Sequence, residues 1–132
     1  MKISELSALE ILDSRGRPTL EVSCTFASGH EGYAQVPSGA STGRAEAYEL
    51  RDNDPKRYRG LGCLNAVAHV KGDFRNQLEG ESFSDQATLD QRLLDIDGTR
   101  NKSRLGANAI LGISLAFARA SAAAHKLSLI HI

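Results

Sequence analysis

The sequence lacks an excess of charge of either sign. Its 132 residues include 16 Lys and Arg and 16 Asp and Glu, so the formal net charge is zero. Nucleic-acid backbones and anionic membrane surfaces attract proteins through a net positive field, which this composition does not supply. The charge balance therefore argues against nucleic acid as a partner.

Long apolar runs and secretion signals are also lacking. The longest weakly polar stretch, Ala107 to Ala118, is shorter than the roughly 20 residues that a helix needs to cross a bilayer. The N-terminus has one early lysine, Lys2, but no apolar run behind it and no small-residue cleavage site, so it does not resemble a secretory signal. We therefore expect no membrane span and a cytoplasmic location.

Cysteine and histidine are sparse. The two cysteines, Cys24 and Cys63, lie 39 positions apart, which excludes a CxxC motif and allows at most one disulfide. In a cytoplasmic chain we expect two free, buried thiols. The four histidines show neither the i, i+4 spacing nor the neighbouring carboxylate pairs of common metal sites. Packing or surface roles are expected for them.

Alternation of apolar and polar residues predicts strands in the first third of the chain. Residues 20–26 alternate strictly, a period of two that places one face of a strand on a core. Turn-forming residues occupy positions 13–18 before this strand and 28–32 after it, and a further strand is expected over 33–36. Three short strands joined by tight turns predict an antiparallel meander.

Apolar spacing changes to three or four residues from position 61 onward. It predicts a helix over 64–78, inside which Gly72 costs about 1 kcal/mol relative to alanine. A second helix is predicted between Asp85, a favourable start, and Gly98, a favourable end. The alanine-rich segment 107–124 predicts a third, buried helix. Strands followed by helices favour an α+β fold, with a three-stranded antiparallel β-meander followed by a helical bundle.

Residues 37–43 form the stretch most suited to binding. They are nearly all small, with two glycines, three hydroxyl side chains and several unpaired backbone groups, which suit an anion or a hydrated cation. The spacing of Gly39 and Gly43 does not match a P-loop, and Asn65 stands where a dinucleotide fingerprint beginning at Gly60 needs its third glycine. On composition alone, a solvated loop that links sheet to helix remains an alternative.

Five sequence blocks resemble the N-terminal domain of enolase, in the family's order and with near-family spacing. They cover residues 11–19, 37–43, 49–52, 94–99 and 101–112. The chain departs from the family at Arg17, Tyr48 and Asn53, the last of which replaces a turn glycine. The resemblance implies an N-terminal domain over 1–126, a truncated or non-native tail over 127–132, and absence of the catalytic β/α barrel that follows in the family.

The resemblance also implies a reaction. Enolase (phosphopyruvate hydratase) is a glycolytic lyase that interconverts 2-phosphoglycerate and phosphoenolpyruvate plus water, with two Mg²⁺ ions in each active site. In the family, the lysine base, the glutamate acid and the three carboxylate ligands of the first metal lie in the barrel. No catalytic residue is therefore assigned to this chain, and the chain by itself is expected to be inactive.

Site roles are implied for a few residues. The family's mobile lid, which closes over bound substrate, matches five positions, namely Gly39, Ala40, Ser41, Thr42 and Gly43. Ser41 matches the serine that gives its hydroxyl and backbone carbonyl to the second Mg²⁺ ion. Glu21 matches a strand glutamate that pairs with a barrel arginine of the other subunit in enolase homodimers, and Arg15 resembles a position near that interface.

A second class of function also fits the sequence. A stand-alone module could keep the enolase N-terminal fold and bind a partner without catalysing a reaction. Absence of the barrel is the only sequence feature in favour of this alternative.

Overall fold

The computed structural model describes residues 1–39 and 43–131. Three strands come first: β1 (Ile3–Leu12), β2 (Pro18–Phe26) and β3 (Glu31–Gln35). Five helical segments follow a long connection: α1 (Leu64–His69), a π-helix (Val70–Phe74), α2 (Arg75–Leu78), α3 (Gln86–Asp97) and α4 (Ala107–Ala124). Short 3₁₀ turns lie at Tyr58–Gly60 and Leu129–His131. The α+β architecture expected from the sequence is confirmed.

The strands form one antiparallel sheet in the order β1-β2-β3. The apolar side chains of β2 are all buried on one face, as its alternation predicts. The opposite face carries Glu21, which pairs with Leu9 of β1 and Gln35 of β3. Strand β3 begins and ends earlier than the expected 33–36. Val36 nevertheless continues the ladder, because its N–H donates to the carbonyl of Leu20 at 2.9 Å.

Helix α4 lies against the buried face of β2 and β3. The approach is closest at Gly32 in β3, where an added Cβ would stand 2.3 Å from the backbone nitrogen of Ala120 and 2.4 Å from the carbonyl oxygen of Ala116. Farther along, Phe117 makes an edge-to-face contact with Phe26 at a ring separation of 5.1 Å. Small residues on α4 therefore let helix and strand backbones meet directly.

Within the described residues, α4 is the one helix long and apolar enough to span a membrane, with 18 residues and a mean hydropathy of 1.3. The core helix of a folded domain has the same length and composition. Here 61% of the helix is buried inside the fold. Its apolar side chains contact the sheet, as the sequence predicts for a buried helix.

The helix expected over 64–78 is interrupted by the π-helix Val70–Phe74. Its buried residues Val70, Phe74 and Leu78 are spaced by four. Four residues of an α-helix turn about 40° past a full rotation, so this row drifts by about 80° in all and still lies within one helix face. The wider π-turn reduces the drift. Periodicity alone predicted the helix but not this change of pitch.

Both ends of α3 are capped as the sequence predicts. The carboxylate of Asp85 accepts a hydrogen bond from the N–H of Thr88 at 2.8 Å and lies at the helix N-terminus. Gly98 ends the helix in the left-handed conformation, with φ of 74°. Left-handed backbone is the usual role of a glycine after the last helical turn.

Asp97 organises the connection from α3 to α4. Its side chain is buried and accepts hydrogen bonds from the N–H of Leu105 at 2.7 Å, the N–H of Thr99 at 2.9 Å and the hydroxyl of Thr99. Burial acts to raise the pKa of this carboxyl, but the hydrogen bonds from Thr99 and Leu105 outweigh it and hold the pKa below its ordinary value. The carboxylate therefore fixes the loop that leads into α4.

The last described residues pack loosely. Leu127 is 44% exposed and Ile130 is 88% exposed, whereas Leu129 is half-buried. The division of the chain at residue 126 stays a prediction.

Candidate functional site

The candidate site surrounds the small-residue segment 37–43. Ala40, Ser41 and Thr42 lie outside the described residues, so the predicted metal ligand and the central part of the predicted lid have no structural description here. Gly39 and Gly43, which flank them, are exposed. The site is therefore built from the residues that precede and follow the segment.

The side that precedes the segment is held to the sheet. The buried hydroxyl of Thr19 donates to the carbonyl of Val36 at 2.6 Å. Two residues later, the hydroxyl of Ser38 donates to Glu49 Oε1 at 2.8 Å, and the carbonyl of Ser38 accepts from the Arg15 guanidinium at 3.4 Å. The backbone is thus fixed as far as Ser38.

The side that follows the segment is held to the start of α4. The N–H of Tyr48 donates to the carbonyl of Asn101 at 2.7 Å, and the carbonyl of Tyr48 accepts from Ala107 at 2.7 Å. The buried side chain of Asn108 pairs with both backbone groups of Leu50, accepting from its N–H at 3.2 Å and donating to its carbonyl at 3.0 Å. These hydrogen bonds fix the backbone at Tyr48 and Leu50.

Arg51 connects the two sides. Its Nη2 donates to Ser38 Oγ and to Glu49 Oε1, both at 2.9 Å. Its Nη1 donates to the carbonyls of Pro18 and Leu61, at 2.5 and 2.8 Å. Only 14% of the side chain is exposed. One guanidinium group therefore links the beginning of β2, residue 61 and both sides of the candidate loop.

These groups border an open cleft of about 370 Å³. Its lining includes three arginines and two glutamates: Arg15, Arg17, Arg51, Glu46 and Glu49. Guanidinium groups bind carboxylate and phosphate oxygens through paired, charge-assisted hydrogen bonds. Both Nη atoms of Arg51 are already engaged by protein partners. Arg15 and Arg17 are the exposed arginines of the cleft and can face an anionic ligand.

The described residues do not form a metal cage. Across 1–39 and 43–131, no three side chains of His, Cys, Asp or Glu are grouped so that they could hold an ion. Glu49, the carboxylate next to Ser38, is committed to Arg51 at 2.9 Å.

The residues predicted for a dimer interface lie on different elements. Glu21 is half-buried on the outward face of β2. Arg15 lies in the turn before β2, where its guanidinium reaches Asp13 at 3.5 Å and the Ser38 carbonyl at 3.4 Å. Arg15 thus borders the cleft, a contact that the sequence did not suggest. The interface role of both residues stays a prediction.

Both cysteines are free and buried, as the sequence predicts. Burial raises the pKa of the Cys24 thiol to about 12. Burial also raises the pKa of Cys63 to about 11, although the nearby Arg51 guanidinium partly opposes this effect. Because the thiolate is the reactive form, neither cysteine is suited to nucleophilic chemistry near neutral pH.

A second ion pair joins Arg57 to Glu10 of β1. The guanidinium of Arg57 donates to both carboxylate oxygens of Glu10, one of them at 2.9 Å, and the N–H of Cys63 donates to Glu10 at 2.7 Å. The Arg57 hydrogen bond, aided by the Cys63 N–H and despite burial, holds the pKa of Glu10 below its ordinary value of 4.5. These bonds join β1 to the start of α1.

We expect Glu10→Gln to destabilise the chain by about 1.5–3 kcal/mol at neutral pH, because a charged hydrogen-bond acceptor is lost. Since the folded pKa of Glu10 lies below 4.5, its contribution is complete above that pH and disappears as the pH falls through the folded pKa. Urea unfolding of the parent and of Glu10→Gln across the acid pH range measures the difference in their free energies of unfolding. Glu5→Gln, at an exposed position of the same strand, is the control, and a pH-independent difference would contradict the assignment.

Some site features were not found from the sequence alone. Arg51 and Asn108 belong to blocks that carried the family resemblance, but no role was deduced for them. Asn53 stands where the family resemblance implies a turn glycine, and its φ of 59° shows why a glycine suits that position. Asparagine tolerates this left-handed conformation better than most residues.

One comparison with known protein families bears on the whole chain. The family model described as "Enolase, N-terminal domain" matches residues 3–132.

Proposed function

The chain belongs to the enolase N-terminal domain family, and from this premise we propose that it supplies the N-terminal part of an enolase. The reaction proposed is the interconversion of 2-phosphoglycerate with phosphoenolpyruvate and water in glycolysis, in the cytoplasm. The observation that best supports a role for this chain is the anchoring of residues 38 and 48–51 on either side of the small-residue segment. Anchored ends favour a loop that presents its groups at a defined place.

The proposed metal is Mg²⁺, two ions per active site, with Ser41 as a ligand of the second ion. Hydroxyl and carbonyl oxygens are the hard donors that Mg²⁺ prefers, so the donor chemistry of the loop fits one neutral contribution to such a site. When bound, Mg²⁺ stabilises the negative charge that develops on the substrate. The remaining ligands, the base and the acid would come from a barrel domain, as the family resemblance implies.

The residues of this chain would act by positioning and by exclusion of water. Residues 39–43 are proposed as the lid over bound substrate, with Gly39, Ala40, Thr42 and Gly43 supplying small side chains around Ser41. Closing such a segment removes water from the reacting groups and strengthens the electrostatic interactions inside. Glu21 and Arg15 are proposed to contact a second subunit in a homodimer.

The experiment that tests the proposal joins residues 1–126 to the barrel domain of another enolase. We expect this joined protein to form phosphoenolpyruvate from 2-phosphoglycerate when Mg²⁺ is supplied. Formation of the product is measured by its ultraviolet absorbance. The 132-residue chain by itself is expected to show no turnover, because the implied base and acid are barrel residues.

The same barrel with its own N-terminal domain is the matched control for the joined protein. Two outcomes would contradict the proposal. One is a folded joined protein without turnover under conditions in which the control is active. The other is turnover by a pure preparation of the chain alone.

A further inference from the structure

The side chain of Arg51 occupies a position that the family assignment leaves without a role. Its Nη2 donates to Ser38 Oγ and Glu49 Oε1, and Ser38 Oγ also donates to Glu49 Oε1. The three side chains form a closed triangle with edges of 2.8, 2.9 and 2.9 Å. Residues 38 and 49 are thereby tied together across the segment between them.

The other half of the guanidinium fixes this triangle to the folded core. Nη1 donates to the backbone carbonyls of Pro18 and Leu61, and lies 3.2 Å from the sulfur of Cys63. Pro18 begins the central strand, and Cys63, which is fully buried, directly precedes α1. The anchor points are therefore parts of the folded core.

The chemistry of the group explains why arginine is required. A guanidinium is planar, always charged and carries five N–H donors in fixed directions, so it can serve the core on one edge and the loop on the other. A lysine ammonium is a single point on a flexible stem and cannot span acceptors on both sides. With 14% of the side chain exposed, these hydrogen bonds are also largely protected from water.

We propose that Arg51 is a positioning residue for the reaction, acting through Ser38 and Glu49. It sets the spacing of these two residues and fixes them to the start of β2 and to residues 61–63. Its effect on turnover rests on the proposed function. Its effect on the backbone order of Ser38 does not.

The test measures backbone order by NMR relaxation in the 132-residue chain and in its Arg51→Lys variant. In the parent protein we expect the amides of Ser38 and Glu49 to show order parameters near those of the strands, about 0.85. In Arg51→Lys we expect a value below about 0.6 at the Ser38 amide, with the strands unchanged and with Glu49 kept ordered by the hydrogen bonds of Tyr48 and Leu50. Unchanged order at Ser38 would overturn the proposal.

Two further variants control this measurement. Arg57→Lys changes the neighbouring arginine, which binds Glu10 rather than the triangle, and should leave the order of Ser38 and Glu49 as in the parent. Ser38→Ala removes one corner of the triangle but keeps the core contacts of Arg51, and should loosen residue 38. If Arg51→Lys does not fold, Ser38→Ala decides, since full order at residue 38 in that variant would reject the inference.

Turnover supplies a separate measurement. In the protein joined to a barrel, we expect Arg51→Lys to raise the Mg²⁺ concentration for half-maximal activity by about tenfold, in the range found when groups supporting a metal ligand are removed. Loss of folded protein alone would lower the maximal rate without moving this midpoint. An unchanged Mg²⁺ midpoint in Arg51→Lys contradicts the positioning role. If the joined protein with the parent sequence is inactive, the proposed function is contradicted, and the role of Arg51 is then decided by the NMR relaxation measurement.

Discussion

Gly32→Ala is expected to destabilise the chain by about 3 kcal/mol or more, at the upper end of the range for overpacked cores. The new methyl group would stand 2.3 Å from the Ala120 nitrogen and 2.4 Å from the Ala116 oxygen. Both are backbone atoms inside α4, so no side chain can rotate away to make room. The helix would have to move off the sheet and give up its buried contacts with β2 and β3. A loss of this size is a large part of the roughly 5–15 kcal/mol that stabilises an ordinary domain.

The matched control for this substitution is Gly72→Ala. An added Cβ at Gly72 meets nothing within 4 Å, and alanine in a helix is favoured over glycine by about 0.8–1 kcal/mol. Denaturant unfolding followed by circular dichroism should therefore show opposite shifts for the two variants. A Gly32→Ala protein as stable as the parent would mean that α4 does not pack backbone to backbone on β3.

Ser41→Ala should reduce turnover by about 100-fold or more in the protein joined to a barrel. Residues that only support a metal ligand cost about 10- to 100-fold in affinity or activity when they are replaced, and a direct ligand should cost at least the upper value. The substitution removes the hydroxyl donor and leaves the backbone carbonyl. The expected loss should therefore be accompanied by a higher Mg²⁺ requirement, measured from initial rates over a Mg²⁺ series.

Two measurements separate this role from a general loss of structure. The thermal midpoint of Ser41→Ala should equal that of the parent, because the proposed role involves no contact with the core. Ser28→Ala, which removes an exposed hydroxyl in the turn between β2 and β3, should keep full activity. Parent-like turnover and Mg²⁺ dependence in Ser41→Ala would reject the ligand assignment.

The fold was largely predictable because its signals are local. The alternation over residues 20–26 indicates a strand with one buried face, and that face is buried. Asp85 and Gly98 mark the ends of α3 because a side-chain acceptor and a left-handed residue satisfy helix termini whatever the rest of the fold does. The pitch change at Val70–Phe74 was not predictable, because the same apolar spacing is compatible with a regular α-helix.

The candidate site was predictable only in part. Composition singled out residues 37–43, and the family resemblance gave Ser41 a role, but neither identified Arg51. The partners of Arg51 include Ser38, Pro18 and Cys63, which lie between 12 and 33 positions away. Such a group can be recognised only after the fold has brought these partners together.

The hydrogen bonds around Asp97 have a consequence for the chemical durability of the chain. Among aspartyl dipeptides, aspartate followed by glycine is the most prone to cyclise, through attack of the glycine nitrogen on the side-chain carboxyl carbon, and then to isomerise. Here the carboxylate of Asp97 is held by Thr99 and Leu105, and the N–H of Gly98 is engaged with the carbonyl of Leu94 at 2.8 Å. The contacts that shape the α3–α4 connection therefore also hinder this cyclisation for as long as the domain stays folded.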